Sequence, residues 1–267
     1  MKTIYDVPFT ELYRNHFSFS QRKPKTASEW DSKAEKMQAT DFDRSDDYIQ
    51  AFISKMDLVG NESLLDVGCG GGAISLAVAD KVKQIYALDH SPKMLELVRT
   101  RANLQNIHNI QPLVLAWEDD WSQVPEVDIC VSSRSSMVPD LELALAKLNA
   151  KAKKAVYMTM TVEKDFIVRD VLQYIGRESV GFPSYIYAVN ILHQQGYRVK
   201  VDFIETKFAN QPERKSDLAD FIKTVQWSIG QLSEQEITKL TEYYQLHQGN
   251  IFARNPETTW AFLSWSK

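Results

Sequence analysis

Short apolar runs alternate with helix-spaced apolar positions along the first two thirds of the chain. The pattern predicts buried strands over 63–67 (SLLDV), 84–88 (QIYAL), 110–115, 127–131 and 155–160. Ile74, Ala77 and Val78 fall on one side of a predicted helix over 73–79, and Leu141, Leu145 and Leu148 repeat at helical spacing. The second strand ends at Asp89. Ser91 and Pro92 then supply an N-cap and a first helical residue for a helix running through Met94, Leu95 and Val98 towards Leu104. Strand and helix alternating at this rhythm predict a parallel sheet with right-handed crossovers. The expected fold class is α/β, doubly wound.

The tail departs from that rhythm. Tyr197, Val199, Val201 and Phe203 alternate with Arg198, Lys200 and Asp202, the period of a half-exposed edge strand, predicted over 197–208. Residues 260–263 (WAFL) are apolar throughout, as in a strand covered on both faces. The final strand is therefore expected inside the sheet and its predecessor at the edge, completing a mostly parallel, seven-stranded sheet. Between the two, Leu218, Phe221, Ile222, Val225 and Ile229 form one helical stripe, and Ser233-x-x-Glu236 is a capping box. This insertion around 210–250 and the arm over 1–50 are each too small to be a catalytic domain. Both are expected as helical lids on one domain over 51–267.

With 267 residues, 44% hydrophobic and 25% charged, the chain is a globular protein with a sizeable core, which excludes disorder and coiled coil. A net charge of -4 runs against a nucleic-acid partner. Two cysteines, no C-x-x-C pair and no histidine cluster point to neither a disulfide framework nor a metal site. The opening segment has no apolar run fit for a signal peptide or membrane span, so a cytoplasmic protein is expected.

The chemistry concentrates in one loop. Four of the ten glycines are Gly68, Gly70, Gly71 and Gly72, between the first strand and the first helix. Such a cluster lets the main chain press against a ligand, and in a doubly wound sheet that ligand sits beyond the carboxyl ends of the strands. Gly68-x-Gly70-x-x-Ala73 also satisfies the dinucleotide fingerprint, with Asp89 at about the right distance downstream. A pyrophosphate favours a helix N-terminus without an anion beside it. Asp66, two residues before Gly68, instead suits an ammonium or sulfonium group, while Asp89 suits the ribose hydroxyls of either ligand.

LLDVGCGGG followed by IYALDHSPKML resembles the first two motifs of class I S-adenosylmethionine-dependent methyltransferases of the small-molecule type, over roughly residues 30–160. The resemblance implies S-adenosylmethionine as cofactor and a small-molecule acceptor. It places Asp66 at the methionine amino group and the backbone of Gly68, Cys69 and Gly70 along the methionine part. Asp89 would hold the ribose hydroxyls, His90 and Met94 would pack beside the adenine, and Trp117 and Glu118 would meet its edge. The turn at Ser132, Ser133 and Arg134 would lie nearest the transferable methyl, and Glu29-Trp30-Asp31 resembles the "WD" opening of many members. Two departures stand out. The third motif reads WEDDW, so Asp119 could replace Glu118. No [DNS]-P-P-[YFW] follows the fourth strand, which argues against amino methylation of DNA bases or of a glutamine amide. An NAD-dependent oxidoreductase and a non-catalytic S-adenosylmethionine-binding protein remain the alternatives.

Arg134 is the weak catalytic candidate: it could pair with a carboxylate or phosphate on the acceptor, or make a structural ion pair. Cys69 lacks a histidine or asparagine constellation to activate it. Tyr13, Phe17, Phe19 and Trp30 form either an aromatic lid or the anchor of the arm. Tyr185 and Tyr187, on a helix predicted over 184–195, must diverge. Lys147, Lys151, Lys153 and Lys154 read as a solvated face.

Overall fold

The computed structural model describes residues 3–20, 23–207, 217–247, 251, 253–254 and 257–267. Its centre is a seven-stranded sheet of order β3-β2-β1-β4-β5-β7-β6. The strands are β1 Ser63–Val67, β2 Gln84–Asp89, β3 Ile110–Val114, β4 Val127–Ser132, β5 Ala152–Thr161, β6 Lys200–Lys207 and β7 Glu257–Ser266. The first five pair in parallel, and β7 lies antiparallel between β5 and β6. This is the doubly wound, Rossmann-like methyltransferase topology. The strand order reverses between β1 and β4, which fixes where a ligand crevice opens.

The helices are α1 Phe9–Phe19, α2 Ala27–Ala34, α3 Asp47–Ser54, α4 Ala73–Val78, α5 Pro92–Leu104, α6 Leu141–Lys151, α7 Arg169–Ile175, α8 Ile186–Gln194, α9 Leu218–Ile229 and α10 Glu234–Leu246. Leu65, Val67, Cys130 and Met158 point to one face of the sheet, packing with Tyr13 of α1, Leu145 of α6 and Ile191 of α8. Leu64, Ile129 and Val131 point to the other face, with Phe52 of α3 and Val78 of α4. The strictly alternating split follows from the period of two. A third cluster joins Val171 of α7, Phe221 and Val225 of α9 and Leu240 of α10. The apolar stripe of α9 therefore buries itself away from the sheet.

β5 and β7 run longer than their apolar centres. The edge strand is shorter than expected: its ladder starts at Lys200, opposite Ser264. Tyr197 instead closes α8, its N–H donating to the Leu192 carbonyl at 2.9 Å. Val201 and Phe203 remain exposed while Ile204, on the opposite face, is buried. Pairing with β7 thus leaves Val201 and Phe203 outward, while Tyr197 and Val199, ahead of the strand, pack against the core. Phe208 and, from the predicted insertion, residues 210–216 and 248–250 lie outside the described residues. Among the described residues, no helix is long and apolar enough to cross a membrane.

Candidate donor and acceptor site

The chain leaves β1 through Gly68–Gly72 and enters α4. Gly68, Gly70 and Gly72 adopt φ of +67°, +52° and +84°, the left-handed region that glycine enters without a Cβ clash. The N–H groups of Gly68 and Cys69 both donate to the Leu88 carbonyl, at 2.8 and 3.0 Å. Gly70 N–H donates to Asp89 Oδ2 at 2.8 Å. The bend is thereby tied to the end of β2. A Cβ on Gly68 would stand 2.4 Å from Ser135 Cβ, but one on Gly70 would meet no atom within 4 Å. Gly68 is packed against the turn after β4, and Gly70 shows bare main chain to open space.

Two buried carboxylates flank that space. Asp66 accepts from Ser75 through its N–H at 3.2 Å and its hydroxyl at 2.6 Å. Burial pushes its carboxyl up to about 6, with Ser75 pulling it down and the Asp89 charge adding a smaller upward push. Asp89 accepts from Ser91 N–H at 2.9 Å on the oxygen not used by Gly70. Burial, then Asp66 and Asp89, raise the Cys69 thiol well above its ordinary range, so it is no thiolate nucleophile. A pyrophosphate would meet two anions here; a nucleoside carrying positive charge would find them complementary.

The remaining sequence candidates sit around the loop in different ways. His90 is half-buried directly after Asp89, and Met94 is buried in the first turn of α5. Trp117 stacks on Trp121 at 5.4 Å and donates its indole N–H to the Ser135 carbonyl at 3.0 Å. Glu118 is exposed, whereas Asp119 turns back on its own loop and accepts from Ala116 N–H at 2.7 Å. Ser133 faces the Tyr48 hydroxyl at 2.8 Å. The Ser135 hydroxyl donates to the Val67 carbonyl at 2.6 Å, binding the β4 turn to the end of β1.

Arg134 closes β4 with φ of +55°. A non-glycine residue pays about 1 kcal/mol or more for that conformation. Its N–H donates to Thr159 Oγ1 at 3.0 Å, and its guanidinium lies 4.0 Å over the Tyr48 ring. The Tyr48 hydroxyl in turn bonds Thr159 Oγ1 at 2.8 Å. Arg134 makes no ion pair among the described residues.

The arm reaches the site by contacts that the sequence pattern does not reveal. Asp31 accepts from the Ser91 hydroxyl and from Lys93 N–H, at 2.6 and 3.1 Å, so it caps α5 from outside the helix. Trp30 packs edge-on against Trp227 of α9, 5.5 Å between ring centres, and Lys33 stands over both rings. Tyr13 and Phe17 are buried anchors, while Phe19 is exposed. His16 bonds the Gly181 carbonyl through Nε2 at 3.2 Å and Tyr187 Oη through Nδ1 at 3.0 Å. A carbonyl only accepts, so Nε2 carries the proton and Tyr187 donates to Nδ1. Tyr185 diverges towards Phe203.

The lysine run is not a freely solvated face. Lys147 donates to the Trp117 and Asp119 carbonyls, both at 2.5 Å, and Lys151 to the Val124 carbonyl at 2.6 Å. Lys153 and Lys154 meet Glu126 and Asp128 at 3.6 and 3.2 Å. The run staples the loop after β3 to α6 through Lys147 and Lys151, while Lys153 and Lys154 pair from β5. Nothing in the local sequence pattern marks Tyr48 as a neighbour of the turn after β4; only the fold brings it to Ser133 and Arg134.

A glycine bend at the switch point of this sheet, with one acid near the end of β1 and another closing β2, defines a nucleoside-binding protein of Rossmann-like architecture. The profile of a family described as "Methyltransferase domain" matches residues 64–155. An uncharacterized protein of Haemophilus influenzae is 35% identical over 266 residues, 99% of this chain and 98% of that one. The chain belongs to the class I S-adenosylmethionine-dependent methyltransferases. Shorter matches include a probable cobalt-precorrin-6B C(15)-methyltransferase (decarboxylating) of Methanothermobacter thermautotrophicus, 28% identical over 43% of this chain and 62% of that one. An uncharacterized RNA methyltransferase of Listeria monocytogenes is 26% identical over 54% of this chain and 34% of its own. Among solved structures, a coclaurine N-methyltransferase bound to N-methylheliamine and S-adenosylhomocysteine superposes with a TM-score of 0.54 at 13% identity, over 99% of this chain and 96% of that one. That likeness is one of fold.

Proposed function

We propose that this chain transfers a methyl group from S-adenosylmethionine to a small-molecule acceptor. The observation that carries the reading is the pair of buried acids, Asp66 and Asp89, on either side of a bend whose Gly70 faces open space. In this reading Asp66 offsets the charge of the donor's amino group, Gly68, Cys69 and Gly70 line its methionine part, and Asp89 takes the ribose hydroxyls. His90, Met94, Trp117 and Glu118 surround the adenine, and Ser133 borders the methyl position.

The donor brings an activated methyl: the acceptor's lone pair forms the new bond to carbon as the carbon–sulfur bond breaks and its electron pair stays on sulfur. What the chain must supply is position and dryness. Holding reactants in line contributes up to roughly 7–11 kcal/mol. The turn after β4 is fixed for that task, since Ser135 is bonded to β1 and Arg134 to β5. The contact of Trp30 with Trp227 joins the arm to α9 and supports a closed roof suited to a small acceptor. The lysine run, already engaged with carbonyls and carboxylates, offers little to an RNA backbone.

Calorimetric titration with S-adenosylhomocysteine and with NAD tests the donor half. Binding of the former and not the latter is expected; tight NAD binding overturns it. Labelled donor incubated with fractionated metabolite extract and, separately, with total RNA tests the acceptor half. Label in the metabolite fraction alone is expected, and label in RNA overturns it.

A further inference from the structure

We infer that the acceptor is an acid, and that Arg134, Lys33 and Arg254 receive its carboxylate or phosphate beside the methyl position; this rests on the proposed methyl transfer. The three cations come from distant parts of the chain: the end of β4, helix α2, and the segment before β7, where Arg254 pairs with Ile167 in an isolated bridge. All three are exposed, and none makes an ion pair among the described residues. Elsewhere the chain pairs its cations readily: Arg14, Arg44, Lys93 and Arg177 each meet a carboxylate.

Three further observations make the trio a site. Lys33 and Arg254 are accessible, yet the protein around each desolvates it and lowers its pKa, the condition of a group on a cleft wall. Contacts gather the three around one space: Arg134 lies over the Tyr48 ring, which meets Trp260 at 6.3 Å, and Trp260 meets Phe166, next to Arg254's bridge partner Ile167, at 5.8 Å. Lys33 stands over Trp227 of α9, whose Phe221 and Val225 share a buried cluster with Ile167, and its charge is repelled by Arg254 and Arg134. An anion placed between them relieves that repulsion. Finally, Arg134 is aimed by its surroundings: left-handed backbone, the Thr159 bond and the Tyr48 ring under its guanidinium all fix one direction. The Trp30 and Trp227 rings beneath Lys33 offer an apolar wall to the body of such an acid.

The test uses the full chain saturated with S-adenosylhomocysteine. Benzoate and phenyl phosphate are titrated against their neutral counterparts, benzamide and phenol, with an oligouridylate as a third arm. At least one of the two acids should bind, and the neutral compounds should bind at least about tenfold more weakly. Arg134→Gln should weaken the acid by at least about tenfold while S-adenosylhomocysteine affinity stays within about twofold. Lys33→Gln, on the exposed side of α2, should act the same way and guards against misfolding of the first variant. The preferred acid tells carboxylate from phosphate. Acids that do not bind, neutral compounds that bind as well, variants that leave acid affinity unchanged, or oligouridylate binding tighter than either acid through the same residues overturns the inference. Failure of S-adenosylhomocysteine to bind overturns the proposed function instead, and the two failures are read separately.

Discussion

The hydroxyl of Ser91 donates to the carboxylate of Asp31 across 60 residues of sequence, at 2.6 Å, while the same oxygen accepts from Met94 N–H at 3.1 Å. One serine therefore caps α5 and holds the N-terminal arm. Because Ser91 N–H also donates to Asp89, arm, cap and candidate ribose acid form one chain of hydrogen bonds.

Removing the arm's side of that chain should loosen the arm before it damages the sheet. Asp31→Ala deletes two hydrogen bonds and is expected to lower stability measurably. Urea unfolding gives the loss. Limited proteolysis should show faster cleavage within residues 20–40 while the 51–267 fragment persists.

Asp66 should make stability and donor binding pull in opposite directions. Its folded pKa of about 6 lies above the ordinary 3.8. Between those values the folded chain keeps a proton that the unfolded chain has released. The stabilising contribution is therefore full below pH 3.8 and lost as pH rises through 6, a loss of about 3 kcal/mol. Asp66→Asn keeps an acceptor for Ser75 without the charge. At pH 7.5 it should raise the melting temperature of the free protein and weaken S-adenosylhomocysteine binding. Wild-type affinity should likewise fall as pH drops below 6, with proton release on binding visible by calorimetry in two buffers.

The two loop glycines separate packing from ligand contact. Gly68→Ala brings a Cβ to 2.4 Å from Ser135 Cβ at φ +67° and should destabilise the fold by several kcal/mol, roughly the cost of overpacking plus backbone strain. Gly70→Ala meets no protein atom, so only the left-handed backbone cost of about 1 kcal/mol applies. It should fold, by circular dichroism and thermal melt, yet bind S-adenosylhomocysteine far more weakly. Normal affinity in that variant removes the bend from the donor site.

Asp89→Ala should lower donor affinity by roughly a hundredfold, the scale of losing charged hydrogen bonds to a ligand. Arg134→Ala should leave it within about threefold and chiefly reduce acceptor turnover. Titration of both variants decides this. Equal losses of donor affinity count against the separate roles given to them.

Much of this protein follows from local sequence. Consecutive apolar runs marked the strands buried on both faces. The Gly68–Gly72 cluster marked a bend needing positive φ, and Asp66, one residue before the end of β1, and Asp89, at the end of β2, followed as the acids around it. These features depend on period and on single-residue conformation, which a chain carries with it. The reach of β6 did not follow, because its start is set by pairing with β7 and by Tyr197 closing α8. The lysine run misled for a similar reason: what those side chains touch is decided by the loop after β3, not by their neighbours.

Sequence alone thus determined the sheet and the glycine bend with its two acids. Tertiary structure decided which residues the proposed acceptor side could draw on. Arg134 stands out by its place after the fourth strand, but Lys33, Tyr48 and Arg254 are unremarkable where they stand in the chain, and no local periodicity relates them to it. They come together because β4 ends at the switch point, α2 is latched to α5 through Asp31, and the segment before β7 is paired to the entry of α7. Side chains gathered by long-range packing leave no trace in the spacing of residues, whereas a backbone that must bend does.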